Sequence, residues 1–325
     1  MDALLECLFL PPERAREAWL RWRGGIDIDG LPYESHQLLP ALNPQFAAWL
    51  EGDPAAGIFQ GIVRMVWTQN QVRLRTATEV TRLLEEAGVE RPVIVGPAAW
   101  SLRAPARAIR AIPYLSFLVA RTDVEKAAGA LTRAGWHAYG KHPSRKALDQ
   151  DDHVSFVQNN LSLNLHWRLI PTVPGDAAAC EEAFWMRLSA IKWKSHTLVT
   201  TSPEATLLHM LCGRREADVV PWQADVALAG TNGMDWPVFH RLAARFGPLA
   251  LDRLRDLRRR ELVCVPDFPA EDLASLRHKF RMFWGESDWR RFVRNLRARW
   301  RGRAAGQARF IGARRAYQNR RSLLP

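Results

Sequence analysis

The side chains of this 325-residue chain whose types and spacing best suit moving protons or holding metal cluster in its middle. Asp149, Asp151, Asp152 and His153 sit just ahead of a β-type run, and His166 lies within the next one. Asp151 and Asp152 are the candidates for a divalent ion, because hard cations take anionic oxygen ligands; the competing reading is a solvated acidic loop. His153 and His166 fit a histidine general acid or base, or hydrogen-bonded residues on the polar face of a strand. Asp27-Ile28-Asp29 is a literal Asp-x-Asp, but it falls in a turn-rich segment, where local aspartate turns account for it. Gly96 is the one glycine near a phosphate-cradling position, and Pro97 removes a backbone donor beside it. Arg107, Arg110 and Lys141 are candidates to hold an anionic ligand, set against ordinary surface charge. There is no Walker loop, Rossmann fingerprint, serine elbow or HExxH motif.

Charge adds a second feature. The chain has 46 Lys and Arg against 34 Asp and Glu, a net charge of +12. Twelve arginines between Arg290 and Arg321, with no acid among them, equal that whole excess. A near-neutral body thus carries a basic C-terminal arm. Arg294, Arg297, Arg301, Arg314 and Arg315 are its candidate contacts to an anionic partner such as nucleic acid, an acidic peptide or a phosphate-rich surface. A solvated tail, or a last helix with arginines on its outer face, explains the same pattern. The four cysteines, Cys7, Cys180, Cys212 and Cys264, are scattered singly, which points to reduced structural thiols and away from a zinc knuckle or CxxC pair. No apolar run approaches the ~20 residues of a membrane span, and the start is acidic, so the expectation is a cytoplasmic protein.

The elements that must position these residues are legible from spacing. Glu13 to Trp22 and Asn43 to Leu50 predict short helices. Ile58, Ile62, Met65, Val66, Val72, Val80, Leu84 and Ala87 recur at helical spacing until Gly88 closes a long one. Pro92 to Gly96 and Leu115 to Val119 predict strands. Thr122-Asp123-Val124-Glu125 predicts a capping box ahead of a helix that stops at Gly135. Val154 to Gln158 and Leu161 to Leu169 flank Asn159-Asn160, a hairpin signal. Beyond Pro174 the pattern reads as helical: Ser202-Pro203-Glu204 starts one helix, and Trp222 to Ala229, Trp236 to Phe246, Leu249 to Val263, Ala270 to Trp284 and Trp289 to Trp300 predict more.

In this order the segments resemble the uncharacterised nucleotidyltransferase family of bacteria, a branch of the polymerase-β-type superfamily. The resemblance runs from about Pro11 to Gly247. It rests on Val95-Gly96, the loop with Arg107 and Arg110, Leu115 to Val119, Ala127 to Trp136 and Leu165-His166-Trp167. Ser202-Pro203-Glu204 with Leu207-Leu208-His209, and Trp222 to Ala229 with Asp225, continue it. It implies transfer of a nucleoside monophosphate from an NTP, with carboxylates holding two Mg²⁺ ions. The family's two strand aspartates fall on Tyr114 and Ser116, its third carboxylate on Asn164 and its strand-ending Lys on Val95. No neutral trio replaces three carboxylates for two divalent ions. Family members look like accessory proteins in bacterial peptide natural-product and surface-polysaccharide gene sets, which implies a supporting biosynthetic role.

The expected fold is α+β, a small mixed sheet of nucleotidyltransferase type flanked by helical regions. Residues 1–90 are the N-terminal helical region, 91–172 the α/β core, 173–289 the C-terminal helical region and 290–325 the arginine-rich arm. The leading functional expectation is a pseudoenzyme that binds a partner protein, peptide or anionic ligand. The alternatives are a divergent active transferase, which would need Mg²⁺ and NTP, and nucleic-acid binding through the arm.

Overall fold

The helix that organises the molecule runs without interruption through two hydrophobic cores. It is α5, Ala56–Glu86, preceded by α1 (Asp2–Phe9), α2 (Pro12–Gly24), α3 (Tyr33–Leu38), a 3₁₀ turn (Leu39–Leu42) and α4 (Asn43–Trp49). The computed structural model describes residues 2–103, 109–139, 148, 151–170, 177–212, 221–229, 233–259 and 262. The buried stripe of α5 begins with Phe59, Ile62, Val63 and Val66, which join α1, α2 and α4 in an N-terminal core. There the indole of Trp19 meets Trp22, Phe46, Trp49 and Phe59 at centroid distances of 5.1 to 5.8 Å. The stripe continues with Leu74, Ala77, Val80 and Leu84, which pack on the sheet. The period-3.6 apolar pattern thus serves two cores in succession.

The remaining elements are β1 (Val93–Ile94), α6 (Gly96–Arg103), β2 (Leu115–Leu118), a 3₁₀ turn (Arg121–Asp123), α7 (Val124–Arg133), β3 (His137–Tyr139), β4 (His153–Gln158) and β5 (Leu161–His166). After them come α8 (Ala177–Trp185), β6 (Leu188–Trp193), β7 (His196–Thr201), α9 (Pro203–Cys212), α10 (Trp222–Ala229), α11 (Trp236–Phe246) and α12 (Pro248–Arg259). The strands form one mixed sheet of seven, in the order β3-β4-β5-β2-β1-β7-β6. β2 runs parallel to β5, β1 parallel to β7, and the other neighbours are antiparallel. The central strand β2 is buried along its whole length, as apolar Leu115, Phe117 and Leu118 require.

Most of the expected elements form, and the α+β class holds. Gly88 and Gly135 close α5 and α7 at φ +79° and +88°. Asn159 and Asn160 take φ +48° and +63°, the two left-handed residues of a type I′ hairpin turn. Two readings differ, and the start of the chain adds an element. The capping box does not form: Asp123 stands at the start of α7 without a side-chain cap bond, and its carboxylate accepts instead from Lys126 Nζ at 3.0 Å. The first residues make a helix, α1, because Leu4, Leu5 and Cys7 are buried in the N-terminal core; tertiary packing holds a segment too short to be helical alone. The stretch after 172 is not wholly helical, since β6 and β7 extend the sheet. Their turn places Lys194 at φ +53°, so no Gly or Asn announces the hairpin. Ala270 to Trp284 and Trp289 to Trp300 lie outside the described residues. Among the described residues no helix is long and apolar enough to cross a membrane.

Candidate functional site

The lead-in to β2 is fixed from α5. Asn70 is buried there; its Nδ2 donates to the carbonyl of Arg110 at 2.8 Å and its Oδ1 accepts from the amide of Ile112 at 3.0 Å. Pinning both residues sets the register in which Tyr114 and Ser116 enter the sheet. The Arg110 side chain turns away into the interior. Its Nε donates to Asp225 Oδ1 at 2.9 Å and its Nη2 to Oδ2 at 3.3 Å, with both side chains 0% exposed. Arg110 is therefore a structural cation that ties the β2 lead-in to α10, which corrects its reading as a ligand-binding residue: a guanidinium spent on a buried carboxylate does not face a cleft.

On the polar face of the sheet lies a small cleft lined by residues of α6, β2, β4, β5 and α9. Ser116 of β2 stands beside Asn164 of β5 in the parallel register, and Asn164 beside Ser155 of β4 in the antiparallel one. Ser155 Oγ donates to Asn164 Oδ1 at 2.8 Å. Side chains alternate along a strand, so Tyr114, two residues before Ser116, lines the same cleft. The three positions that the sequence aligned with catalytic acids thus converge. Ser116 is fully buried, and its Oγ has no hydrogen-bond partner among the described residues. Gly96, at φ +64°, opens α6 at the cleft's edge, where that backbone conformation favours glycine.

Three imidazoles meet in the cleft. His153 is the register partner of His166, and their rings lie 4.9 Å apart at 29°. His209 of α9 meets His166 edge-on, 5.2 Å away at 82°. His209 Nδ1 lies 2.7 Å from the carbonyl of Leu169; a carbonyl only accepts, so Nδ1 carries the proton. His153 Nδ1 likewise lies 2.7 Å from Asp152 Oδ1. His166 is held well below the ordinary histidine range, first by burial and then by His209 and His153.

Asp152 lines the cleft, whereas Asp151 is not among the residues that line it. The segment that carries both is held by Trp167, whose Nε1 donates to the carbonyls of Leu148 at 3.1 Å and Asp151 at 3.0 Å. The donor set does not fit two Mg²⁺ ions. Phenol, hydroxyl and amide stand at the acid positions, and Asp152, the one carboxylate among the described residues that line the cleft, faces His153. Among the described residues no three His, Cys, Asp or Glu side chains are arranged to hold a metal ion. Asp27-Ile28-Asp29 forms a local turn, with Asp27 Oδ1 accepting the Asp29 amide at 3.2 Å.

Arg107, Lys141, Asp149 and the arm residues Arg294, Arg297, Arg301, Arg314 and Arg315 lie outside the described residues. Cys7, Cys180 and Cys212 are buried; burial pushes the thiol of Cys7 up to about 12. The sequence reading missed His209 as a site residue and Asp225 as the partner of Arg110. Both were visible only as members of ordered motifs, Leu207-Leu208-His209 and the Trp222 to Ala229 helix. A single sequence holds no signal that a helix distant in the chain lays its histidine over a strand's.

No curated protein matches the chain. Among solved structures, the crystal structure of ANT(2″)-Ia in complex with adenylyl-2″-tobramycin is similar at a TM-score of 0.31 and 16% identity, over 67% of this chain and 99% of that one. That likeness is too loose to carry residue correspondences. The family described as "Uncharacterised nucleotidyltransferase" matches residues 36–252, a span that contains every strand of the sheet, all three histidines and the neutral positions Tyr114, Ser116 and Asn164, and the chain belongs to that family.

Proposed function

We propose that this protein is a pseudoenzyme of its family: a nucleotidyltransferase-like protein that does not transfer nucleotides. It uses the cleft or its helical surfaces to bind a partner protein, peptide or anionic ligand, as an accessory factor in a bacterial biosynthetic pathway. The observation that supports this most is the register of β2 against β5, which sets Ser116 beside Asn164 with Tyr114 in the same cleft. Two-metal catalysis stabilises charge on both the attacking and the leaving oxygen, and it needs carboxylates at those positions. Function resides in the site, not in the fold. Incubation with each labelled NTP and Mg²⁺ or Mn²⁺ should give no transfer of label to the protein or to candidate acceptors. Metal-dependent transfer that Asp152→Ala abolishes overturns the reading.

One observation favours an active, divergent transferase: Asp152 lines the cleft and pairs with His153 at 2.7 Å, a relocated acid beside a base. The same assay decides between the two. Nucleic-acid binding through the arm rests on its twelve arginines without an acid.

A further inference from the structure

We propose that the free edge of β6 is a docking strand for an extended, acidic peptide segment, which adds to the sheet as a further strand. The inference rests on the reading of the protein as a binder of a partner or peptide, and it names the surface and the partner's chemistry.

β6 is the last strand of the sheet, and among the described residues it pairs with β7 alone. The Ser202 amide donates to the Arg187 carbonyl at 2.7 Å, which makes Arg187 and Ser202 a hydrogen-bonded pair. Such pairs alternate along an antiparallel ladder, so in the register of β6 on β7 Ser189, Ile191 and Trp193 turn their amides and carbonyls toward β7. Leu188, Ala190 and Lys192 therefore direct theirs outward, and Ala190 and Lys192 are exposed. The strand is held in place for pairing: Arg103 of α6 donates from Nη2 to Ser189 Oγ at 3.1 Å. Extended peptides add to edges of this kind through main-chain hydrogen bonds, while pockets for alternate side chains select the sequence.

The side chains around the edge set that selection. Ile191 and Trp193 are half-buried on one face of β6, where Trp193, His196 and Leu198 form a groove with Arg75, Glu79 and Arg82 of α5. Lys192 alternates to the other face and is exposed. The hairpin is basic: Arg187, Lys192 and Lys194 stand between Glu182 and Glu204 with no acid among them. The cations that α5 brings to the groove already have partners, Arg75 with Glu79 at 3.1 Å and Arg82 with Glu86 at 3.5 Å, so the net positive charge is that of the hairpin. A segment that alternates acidic and apolar residues fits this edge, with a carboxylate opposite Lys192 and apolar side chains opposite Ile191 and Trp193. A lysine on an edge also guards against pairing of copies, and a second copy of this chain would bring the same cations onto one another. Charge thus selects an acidic partner over a second copy.

Fluorescence anisotropy of a dye-labelled peptide of about eight residues, alternating glutamate and valine, tests this on the full chain, with the lysine–valine peptide as control. The acidic peptide should bind and the basic one should not. Ala190→Pro removes an outward amide at no cost in ladder bonds, since proline is tolerated on an edge strand, and should weaken binding by roughly tenfold or more. Lys192→Glu, at an exposed position, should weaken it by roughly tenfold. Methylating every second peptide amide should abolish binding when the methylated set faces β6 and spare it when that set faces away, a distinction that charge attraction alone does not make. Unchanged circular dichroism separates loss of binding from loss of fold; should Ala190→Pro fail to fold, the charge reversal and the methylated peptides still decide. Binding that both variants leave intact belongs elsewhere, as on the basic arm, and overturns the proposal. So does absence of binding, and so does equal binding of the two peptides. Self-association in sedimentation velocity that Ala190→Pro abolishes assigns the edge to a second copy and overturns it as well. The label-transfer assay reads none of these outcomes, so the docking strand can fail while the pseudoenzyme reading stands.

Discussion

His166 and the buried Arg110–Asp225 pair carry separable consequences at the scale of single residues. His166 is neutral in the fold because its folded pKa is depressed. Its contribution is whole above the unfolded histidine value of about 6.5 and is lost as pH falls toward the folded value, because the unfolded chain then binds the extra proton. Urea unfolding should show stability dropping below about pH 6.5 by up to ~1.4 kcal/mol per pH unit from this group. His166→Gln should flatten that slope; an unaltered slope would place the acid sensitivity elsewhere. The Arg110–Asp225 pair behaves differently. With both side chains fully buried, Asp225→Ala should destabilise by about 3–5 kcal/mol, because it strands a cation in the interior, whereas replacing both with apolar residues should recover much of the loss.

At the scale of elements, α7 offers a contrast between two of its glycines. Gly135, just past its end, has φ +88°, and a Cβ there would lie 2.9 Å from Gln158 Nε2, the amide that donates to Ala134 O at 2.8 Å. Gly135→Ala should cost about 1–2 kcal/mol from the left-handed backbone, and the clash with Gln158 adds to it. Gly129, inside the helix, meets only the Arg133 side chain at 3.5 Å. Gly129→Ala should instead stabilise by about 0.5–1 kcal/mol, because alanine lowers the entropy cost of helix formation. Thermal unfolding of the two variants gives opposite signs if this assignment of the helix end is right. The same helix shows what local patterning conveys: the stop at Gly135 was legible, while the cap did not form, since Thr122 lies in a 3₁₀ turn, Arg121–Asp123, ahead of the helix and the Asp123 carboxylate accepts from Lys126.

For the whole molecule, the decisive contrast is between a neutral cleft and a basic arm. A thermal-shift series with the four NTPs should show no stabilisation that depends on Mg²⁺, since a ligand raises the melting temperature only by binding the native state. Stabilisation that requires Mg²⁺ would restore the active-enzyme reading. Should nucleic acid be a ligand of the arm, duplex binding should fall by about 10³ or more between about 50 and 200 mM salt. A chain ending at Trp289 should then lose it; binding that survives truncation would exclude the arm as the contact.

By itself the sequence determined what depends on near neighbours. Periodic apolar residues specify α5 and α7, Asn159-Asn160 the β4–β5 turn, and the alternation of Leu161, Leu163 and Leu165 with Ser162, Asn164 and His166 the buried and polar faces of β5. The absence of acids at Tyr114, Ser116 and Asn164 was also plain, given the order of motifs. Only the tertiary structure decided which distant segments meet. It turned Arg110 inward onto Asp225, added β6 and β7 to the sheet, and brought His209 over His166. The physical reason is that strand pairing, burial of a charge and edge-to-face contact of rings join residues far apart in the chain. Their energies come from exclusion of water and from register, and neither is written in local spacing.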